Sequence, residues 1–360
     1  MAAVDGLNPS DPGIALLGES ALDLEYGVAH GGRDALLVHC GDVPRIGDAA
    51  TRLVLDVREL ESARHRCVPA DVASVAGALD RNDFGVALLW PRAHLGIDFS
   101  EACIATAVQR VKPGGTVLLT ARKQKGGKRL ASTLQRLTGD LRVHERRSGY
   151  AVYAASRGDD YDRELADEIT DRAYLIEDEL LGELALVSRP GVFSRKQLDG
   201  GTRCLLEHVL RADAEGRIES PRKVIDLCCG IGPLGLRAAL DWPKAEIYAI
   251  DSNFVASSLV EHNAAAAELT DRVKVRCHDG MPEPGENDFA DLALVNPPTH
   301  ADKDTLEAIL SGLWPWLGPG RKALIVVNRP GRTIEVLKAR GATGEMYEYD
   351  GYVVVEAWQG

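Results

Sequence analysis

The sequence predicts two tandem α/β domains, each a mainly parallel, doubly wound sheet that ends in an antiparallel hairpin. Three observations lead there. Apolar runs of four to six residues alternate with amphipathic stretches across 223–327; Asp350-Gly351 separates two β-rich runs near the carboxyl end; and three segments of the first half reappear, in the same order, in the second.

In the second half, 223–227 reads as a short apolar strand, 233–240 as the start of a helix and 246–250 as a strand closed by Asp251. A helix over 254–267, strands over 273–277 and 291–295, a helix over 305–317 and a strand over 322–327 follow. Continuously apolar strands are buried on both faces, which is the condition of a parallel sheet covered by helices. The run 345–358 alternates instead, and Asp350-Gly351 at its middle suits a hairpin turn that needs positive φ.

The first half looks like a worn copy of the second. Ala87-Leu88-Leu89-Trp90-Pro91-Arg92-Ala93-His94 lies against Ala293-Leu294-Val295-Asn296-Pro297-Pro298-Thr299-His300 at an offset of 206. The same offset aligns 111–118 with 317–324, and Ser148-Gly149-Tyr150-Ala151-Val152 resembles Asp350-Gly351-Tyr352-Val353-Val354 at 202. Three matches in one order favour a tandem duplication over chance. In the first copy the strand expected at 35–40 leads into Gly41-Asp42-Val43-Pro44-Arg45, which lacks the second glycine of a cofactor loop, and Trp90 stands where Asn296 stands. No cofactor is expected there. The expected organisation is a degenerate domain over 1–156, a linker with a leading strand at 180–187 over 157–189, and a catalytic domain over 190–360; Gly158-Asp159-Asp160-Tyr161-Asp162-Arg163-Glu164 opens the linker.

Composition narrows the class. At 360 residues and 45% apolar content the chain can bury two cores of ordinary size. No apolar run approaches the length a bilayer needs, and the first twenty residues carry three acids and no base, unlike a signal peptide. A soluble, cytoplasmic protein without membrane partners is expected. Seven cysteines without C-x-x-C spacing read as reduced thiols, and no metal site is expected. The net charge of −12 conceals a basic stretch, since 101–156 holds 11 basic residues against 3 acids.

The strand 223–227 delivers the chain to Asp226-x-Cys228-x-Gly230-x-Gly232, a turn whose glycines let a ligand approach the backbone ahead of a helix with free N–H groups. The turn lacks the full G-x-G-x-x-G of a pyrophosphate binder. Asp226 beside it would repel phosphate and suits the cationic amino-acid end of S-adenosylmethionine. Asp251, with Ser252 after it, ends the second strand, where an acid can accept from both ribose hydroxyls; Asp279, with Gly280 after it, ends the third, facing the place of an adenine amino group. Asn296-Pro297-Pro298 ends the fourth strand. The amide oxygen of Asn296 and the carbonyl of Pro297 can accept two N–H bonds from a planar amine, localising a lone pair otherwise delocalised into a ring, and the prolines stiffen that carbonyl.

With these residues on the page, the segment Pro190-Gly191-Val192-Phe193-Ser194-Arg195-Lys196-Gln197-Leu198-Asp199-Gly200-Gly201-Thr202, the turn at 226–232 and Asn-Pro-Pro-x-His together resemble the ribosomal RNA guanine-N2 methyltransferases that carry a degenerate amino-terminal copy. The resemblance is specific over 190–330 and loose over 30–155. It implies two Rossmann-like class I methyltransferase domains, in which an antiparallel hairpin closes each sheet, and S-adenosylmethionine as cofactor. By matching position it also implies that Phe193, Asp199, Gly201 and Thr202 cover the cofactor and that His300 belongs to the reaction site. Where the family has an aromatic residue to stack on the base, this chain has Thr299, so either another aromatic stacks or the acceptor differs.

The basic run with Arg122, Lys123, Lys125, Lys128 and Arg129 is the candidate RNA contact, glycines within it permitting close phosphate approach. The leading expectation is an RNA guanine-N2 methyltransferase acting on ribosomal RNA. Methylation of another planar nitrogen (protein glutamine, adenine or a small molecule) and a catalytically weak RNA-binding assembly factor remain open alternatives.

Overall fold

The computed structural model describes residues 11–24, 32–61, 65–71, 74–285, 288–298 and 303–360. The chain divides into two units: one holds residues up to Ala173 with Arg189–Gly191, the other Tyr174–Ser188 and Val192–Gly360.

In the first unit α1 (Pro12–Asp23) precedes β1 (Ala35–Val38), β2 (Thr51–Val54), α2 (Arg58–Glu61), β3 (Arg66–Pro69) and β4 (Phe84–Leu89). Then come α3 (Ile97–Arg110), β5 (Val111–Arg122), α4 (Gly127–Thr138), β6 (Arg142–Arg147), β7 (Tyr150–Ser156) and α5 (Arg163–Thr170). The strands lie in the order β3-β2-β1-β4-β5-β7-β6, parallel except where β7 joins β5 and β6. Every residue of β4 is buried, as its unbroken apolar sequence requires.

The second unit opens with a small hairpin, β8 (Tyr174–Ile176) and β9 (Leu186–Ser188). It continues through α6 (Gly200–Ala214), β10 (Lys223–Leu227), α7 (Pro233–Asp241), β11 (Glu246–Asp251), α8 (Phe254–Ala266), β12 (Val273–Cys277) and β13 (Ala290–Val295). It ends with α9 (Lys303–Ser311), β14 (Leu317–Val327), α10 (Pro330–Ala339), β15 (Thr343–Tyr349) and β16 (Tyr352–Trp358). Its order, β12-β11-β10-β13-β14-β16-β15, repeats that of the first unit strand for strand, again with antiparallel pairing only at the closing hairpin.

Three expectations need correction. The stretch 180–187 is no single strand: Glu179–Leu181 is a 3-10 turn, and Gly182 at φ +66 reverses the chain into β9. The segment after 156 is not a bare linker, because α5 buries Leu165, Ala166 and Ile169 within the first unit. Those apolar positions lie on one helical face, a signal diluted by the surrounding acids. The helix expected over 305–317 stops at Ser311, since Gly312 and Pro315 break it, and Trp316 turns into the core with its Nε1 donating to the Pro282 carbonyl at 2.6 Å.

One polar cluster ties α6 to the sheet. Glu356 on β16 is buried, its Oε1 2.9 Å from Nε2 of His208, its Oε2 receives Lys322 Nζ at 2.7 Å, and Arg217 also reaches it. His208 Nδ1 meets the Tyr349 hydroxyl at 2.9 Å. Burial pushes the Glu356 carboxyl up, but the hydrogen bonds from His208 and Lys322 prevail and hold it at about 2. An unfolded glutamate titrates near ~4.3, so this cluster contributes its full stability above pH ~5 and loses it as pH falls toward 2. Glu356→Gln is expected to lower unfolding free energy at pH 7 by on the order of 2 kcal/mol, because two cations lose their counter-charge. Denaturant titrations between pH 2 and 7 check it: the variant should show a flatter acid limb than the parent, and parallel limbs would refute the assignment.

Candidate functional site

Register places the site. Leu227 of β10 pairs with Val295 of β13 on one side and with Ile250 of β11 on the other, while Asp251 pairs with Cys277 of β12. The four strands therefore end together, and the glycine turn, Asp251, Asp279 and Asn296 emerge on one edge at the point where strand order reverses. That crevice is where open α/β sheets bind ligands.

The turn after β10 is built from left-handed residues: Cys228 at φ +60, Gly230 at +55 and Gly232 at +90. A cysteine in that region is strained, so the surrounding contacts must hold it there. Gly230 donates its N–H to Asp251 Oδ2 at 2.9 Å, and Asp251 Oδ1 receives the N–H of Asn253 at 2.9 Å. No atom lies within 4 Å of where a Cβ on Gly230 would stand, which leaves the turn open to a ligand. Gly232 caps α7 ahead of Pro233, an arrangement that fixes the helix start.

Asp226 departs from its expected place. It lies fully enclosed beneath the turn, with Oδ2 accepting the Gly235 N–H at 2.7 Å, Oδ1 without a hydrogen-bond partner, and its carboxyl pushed up to about 7 by burial. The side chain acts on the turn and the first turn of α7, not at the open face of the crevice. The other acids do reach that edge: Asp251 and Ser252 are half-buried, and Asp279 is exposed beside Gly280 at φ +70.

Asn296 is held by a shared carboxylate. Asp199 caps α6, its Oδ1 accepting the N–H groups of Gly201 at 2.9 Å and Thr202 at 3.2 Å. The same side chain accepts from Thr202 Oγ1 at 2.5 Å, and Asn296 Nδ2 lies 3.2 and 3.3 Å from its two oxygens and 3.0 Å from Thr202 Oγ1. A carboxylate only accepts, so the amide nitrogen must face it and the amide oxygen is left for another donor. That oxygen passes within 3.1 Å of where a Cβ on Gly201 would be, so a larger residue there would crowd it. Asp199 and Thr202, expected to cover a cofactor, thus spend their side chains on the helix end and on Asn296. Phe193, the other covering candidate, is 67% exposed and followed by Ser194 at φ +49. Pro297 is buried and Pro298 exposed; Thr299 and His300 lie outside the described residues.

The basic candidates belong to the first unit. Arg129 is committed to Glu101, with contacts of 2.7 and 3.2 Å, whereas Lys125 and Lys128 are exposed. Arg122 stands over the Tyr150 ring at 4.6 Å. The side chain of Lys123 lies outside the described residues. Among the described residues no His, Cys, Asp and Glu cluster could hold a metal ion, and no helix is long and apolar enough to cross a membrane.

Two contributors escaped sequence reasoning. Tyr352 packs on the α6 cap, its ring 2.7 Å from where a Cβ on Gly200 would stand; its recurrence as Tyr150 in the repeat was the available signal. Asn263, inside an alanine-rich helix, receives the Val187 N–H at 2.8 Å and donates to the carbonyls of Val187 and Ile231 at 3.1 Å each, pinning the turn to β9.

A seven-stranded sheet of this order, with a glycine turn after its first strand and Asn-Pro-Pro after its fourth, defines a class I methyltransferase fold. Residues 183–356 match the Methyltransferase small domain family. The ribosomal RNA large subunit methyltransferase G of Ectopseudomonas mendocina is 38% identical over 118 residues, 32% of this chain and 29% of the relative's length. The ribosomal RNA small subunit methyltransferase C of Hahella chejuensis is 27% identical over 250 residues, 68% of each. The Thermus thermophilus 16S rRNA N2 G1207 methyltransferase, solved with AdoMet and guanosine, superposes with a TM-score of 0.78 at 21% identity, covering 98% of this chain and 95% of that one. The carboxyl-terminal half of the chain is thus similar to the Methyltransferase small domain, and the chain spans less than a third of the length of the large subunit methyltransferase G that it matches.

Asp199→Ala should remove the α6 cap and release the Asn296 amide together. A loss of about 1–2 kcal/mol in stability, with narrowed exchange protection at the start of α6 and a mobile Asn296 side-chain amide by NMR, is the expected result; an amide that stays ordered would show that Asp199 does not orient it.

Proposed function

We propose that the protein is an S-adenosylmethionine-dependent N-methyltransferase whose acceptor is an exocyclic amine of RNA, guanine N2 in ribosomal RNA, and that it works in the cytoplasm. The observation that carries this reading is the orientation of Asn296, whose amide nitrogen is taken by Asp199 and Thr202 and whose oxygen is thereby assigned to receive a donor.

The donor set fits the cofactor. Gly230 leaves an open cradle, Asp251 stands half-buried at the end of β11, and Asp279 stands exposed beyond β12. Ribose hydroxyls on Asp251, with Ser252 adjacent, and an adenine amino group near Asp279 and Gly280 complete the assignment, with Phe193 as the cover and Cys228, Gly230 and Gly232 as the backbone wall. When bound, S-adenosylmethionine supplies an electrophilic methyl group on a sulfonium.

The residues of the chain do the rest. Asn296 Oδ1 and the Pro297 carbonyl accept the two N–H groups of the amine, drawing its lone pair out of the ring and aiming it. Fixing that approach is worth up to roughly 7–11 kcal/mol in favourable cases. Charge developing on the nitrogen is relieved into the same acceptors, so no strong base is needed. Pro298, and Thr299 and His300 after it in sequence, are the assigned substrate contacts, and Arg122, Lys123, Lys125 and Lys128 supply phosphate contacts, Arg129 being spoken for by Glu101. The kinship with ribosomal RNA methyltransferases supports RNA over protein or small molecules as substrate.

Asn296→Ala is expected to reduce methyl transfer to ribosomal RNA by about 100-fold or more while calorimetric affinity for S-adenosylmethionine stays within a few fold. Tritium transfer assays on ribosomal RNA, protein extract and small molecules check it, and full activity in the variant, or label in protein alone, would overturn the reading.

A further inference from the structure

The first unit keeps a cavity of about 650 Å³ at the carboxyl ends of β4 and β5. Its parts correspond to those around Asn296. Asp11 caps α1 as Asp199 caps α6, its Oδ1 receiving the Gly13 N–H at 2.7 Å. A Cβ on Gly13 would lie 2.5 Å from the Tyr150 ring and 2.9 Å from Trp90 Nε1, and one on Gly201 would lie 3.4 Å from the Tyr352 ring and 3.1 Å from Asn296 Oδ1. Trp90 follows β4 as Asn296 follows β13, and Val38 pairs with Leu89 as Leu227 pairs with Val295. The capping acid, the glycine after it and the tyrosine are retained, while Ile14 replaces Thr202 and Trp90 puts a π face in place of an amide.

The ends of β1 and β2 have taken a different course. Glu59 is buried and bound to Arg52 and Arg92 at 3.0 Å each, and His39, at φ +50, is buried with its Nε2 2.7 Å from the Val75 carbonyl. Side chains of the unit fill that half, while the half beyond β4 stays open. Facing the open half are Trp90, the half-exposed Arg122 over Tyr150, exposed Lys125, and Thr120, whose buried Oγ1 has no hydrogen-bond partner.

We propose that this cavity holds an unpaired ribonucleotide of the RNA substrate without modifying it, the base stacked on Trp90 with Thr120 Oγ1 available to its polar edge, and the phosphate at Arg122 and Lys125. An aromatic face gives sequence-tolerant stacking, and cations at the rim give the salt-sensitive attraction to phosphate. The amino-terminal unit then serves as an anchoring site for the RNA that the other unit modifies; this rests on the reading that the protein acts on RNA.

The full-length protein and a short fluorescent single-stranded oligoribonucleotide test it by anisotropy. Trp90→Ala should weaken binding about tenfold, Trp90→Phe should restore most of it, and both should keep the parental melting curve and S-adenosylmethionine affinity. Should Trp90→Ala unfold the unit, the double variant Arg122→Ser, Lys125→Ser serves instead, with the salt slope expected to fall by about 2. Ultraviolet cross-linking should mark the peptide containing Trp90. Parental affinity and slope in these variants, with cross-links confined to 192–360, would overturn the proposal and leave the RNA methyltransferase reading standing. A parent that binds no oligoribonucleotide would overturn both, and binding of 5′-GMP at Trp90 without oligonucleotide binding would reassign the cavity to a free nucleotide.

Discussion

The carboxylate of Asp199 is asked to do two things at once: it terminates α6 and it faces the amide of Asn296. Because a carboxylate accepts and never donates, an amide that meets it must present its nitrogen. The rest of the second unit can be understood as holding α6 where this is possible. His208, Glu356, Lys322 and Arg217 tie the middle and end of the helix to β14 and β16, Tyr352 backs its first residues, and Gly201 leaves room for the amide oxygen. A buried ion cluster is a poor source of net stability, because desolvation offsets attraction. Here it also sets the position of a helix whose end orients the Asn296 amide.

The two units show how one topology diverges. Both keep the strand order, the helix cap and the tyrosine after the hairpin turn. The second keeps a left-handed turn with two glycines and acids at the strand ends; the first fills the corresponding region with a buried Glu59, Arg52 and Arg92 network. At the position equivalent to Asn296 the first unit has Trp90, an aromatic face in place of an amide.

Much of this was legible in the residues. The parallel sheet of the second unit, its hairpin and the duplication came from periodicity and repetition, which depend on neighbours in sequence. Errors arose where the signal was diluted or local breakers were underweighted: α5 hid within an acidic run, Gly182 broke the segment before β9, and Gly312 with Pro315 ended α9 early. Asp226 read as a ligand contact because its position beside the turn was visible and its enclosure was not.

By itself, the sequence determined which chemical groups are present and at which strand ends they fall, since alternation, chain order and glycine placement are properties of the chain alone. Tertiary structure decided what each group faces. Asp199 and Asn296 are 97 positions apart, and nothing local in either segment says that one will orient the other. Their pairing follows from the packing of α6 on β14 and β16, next to β13 in the sheet, and contacts between distant segments are set by burial and register rather than by any pattern a single stretch carries.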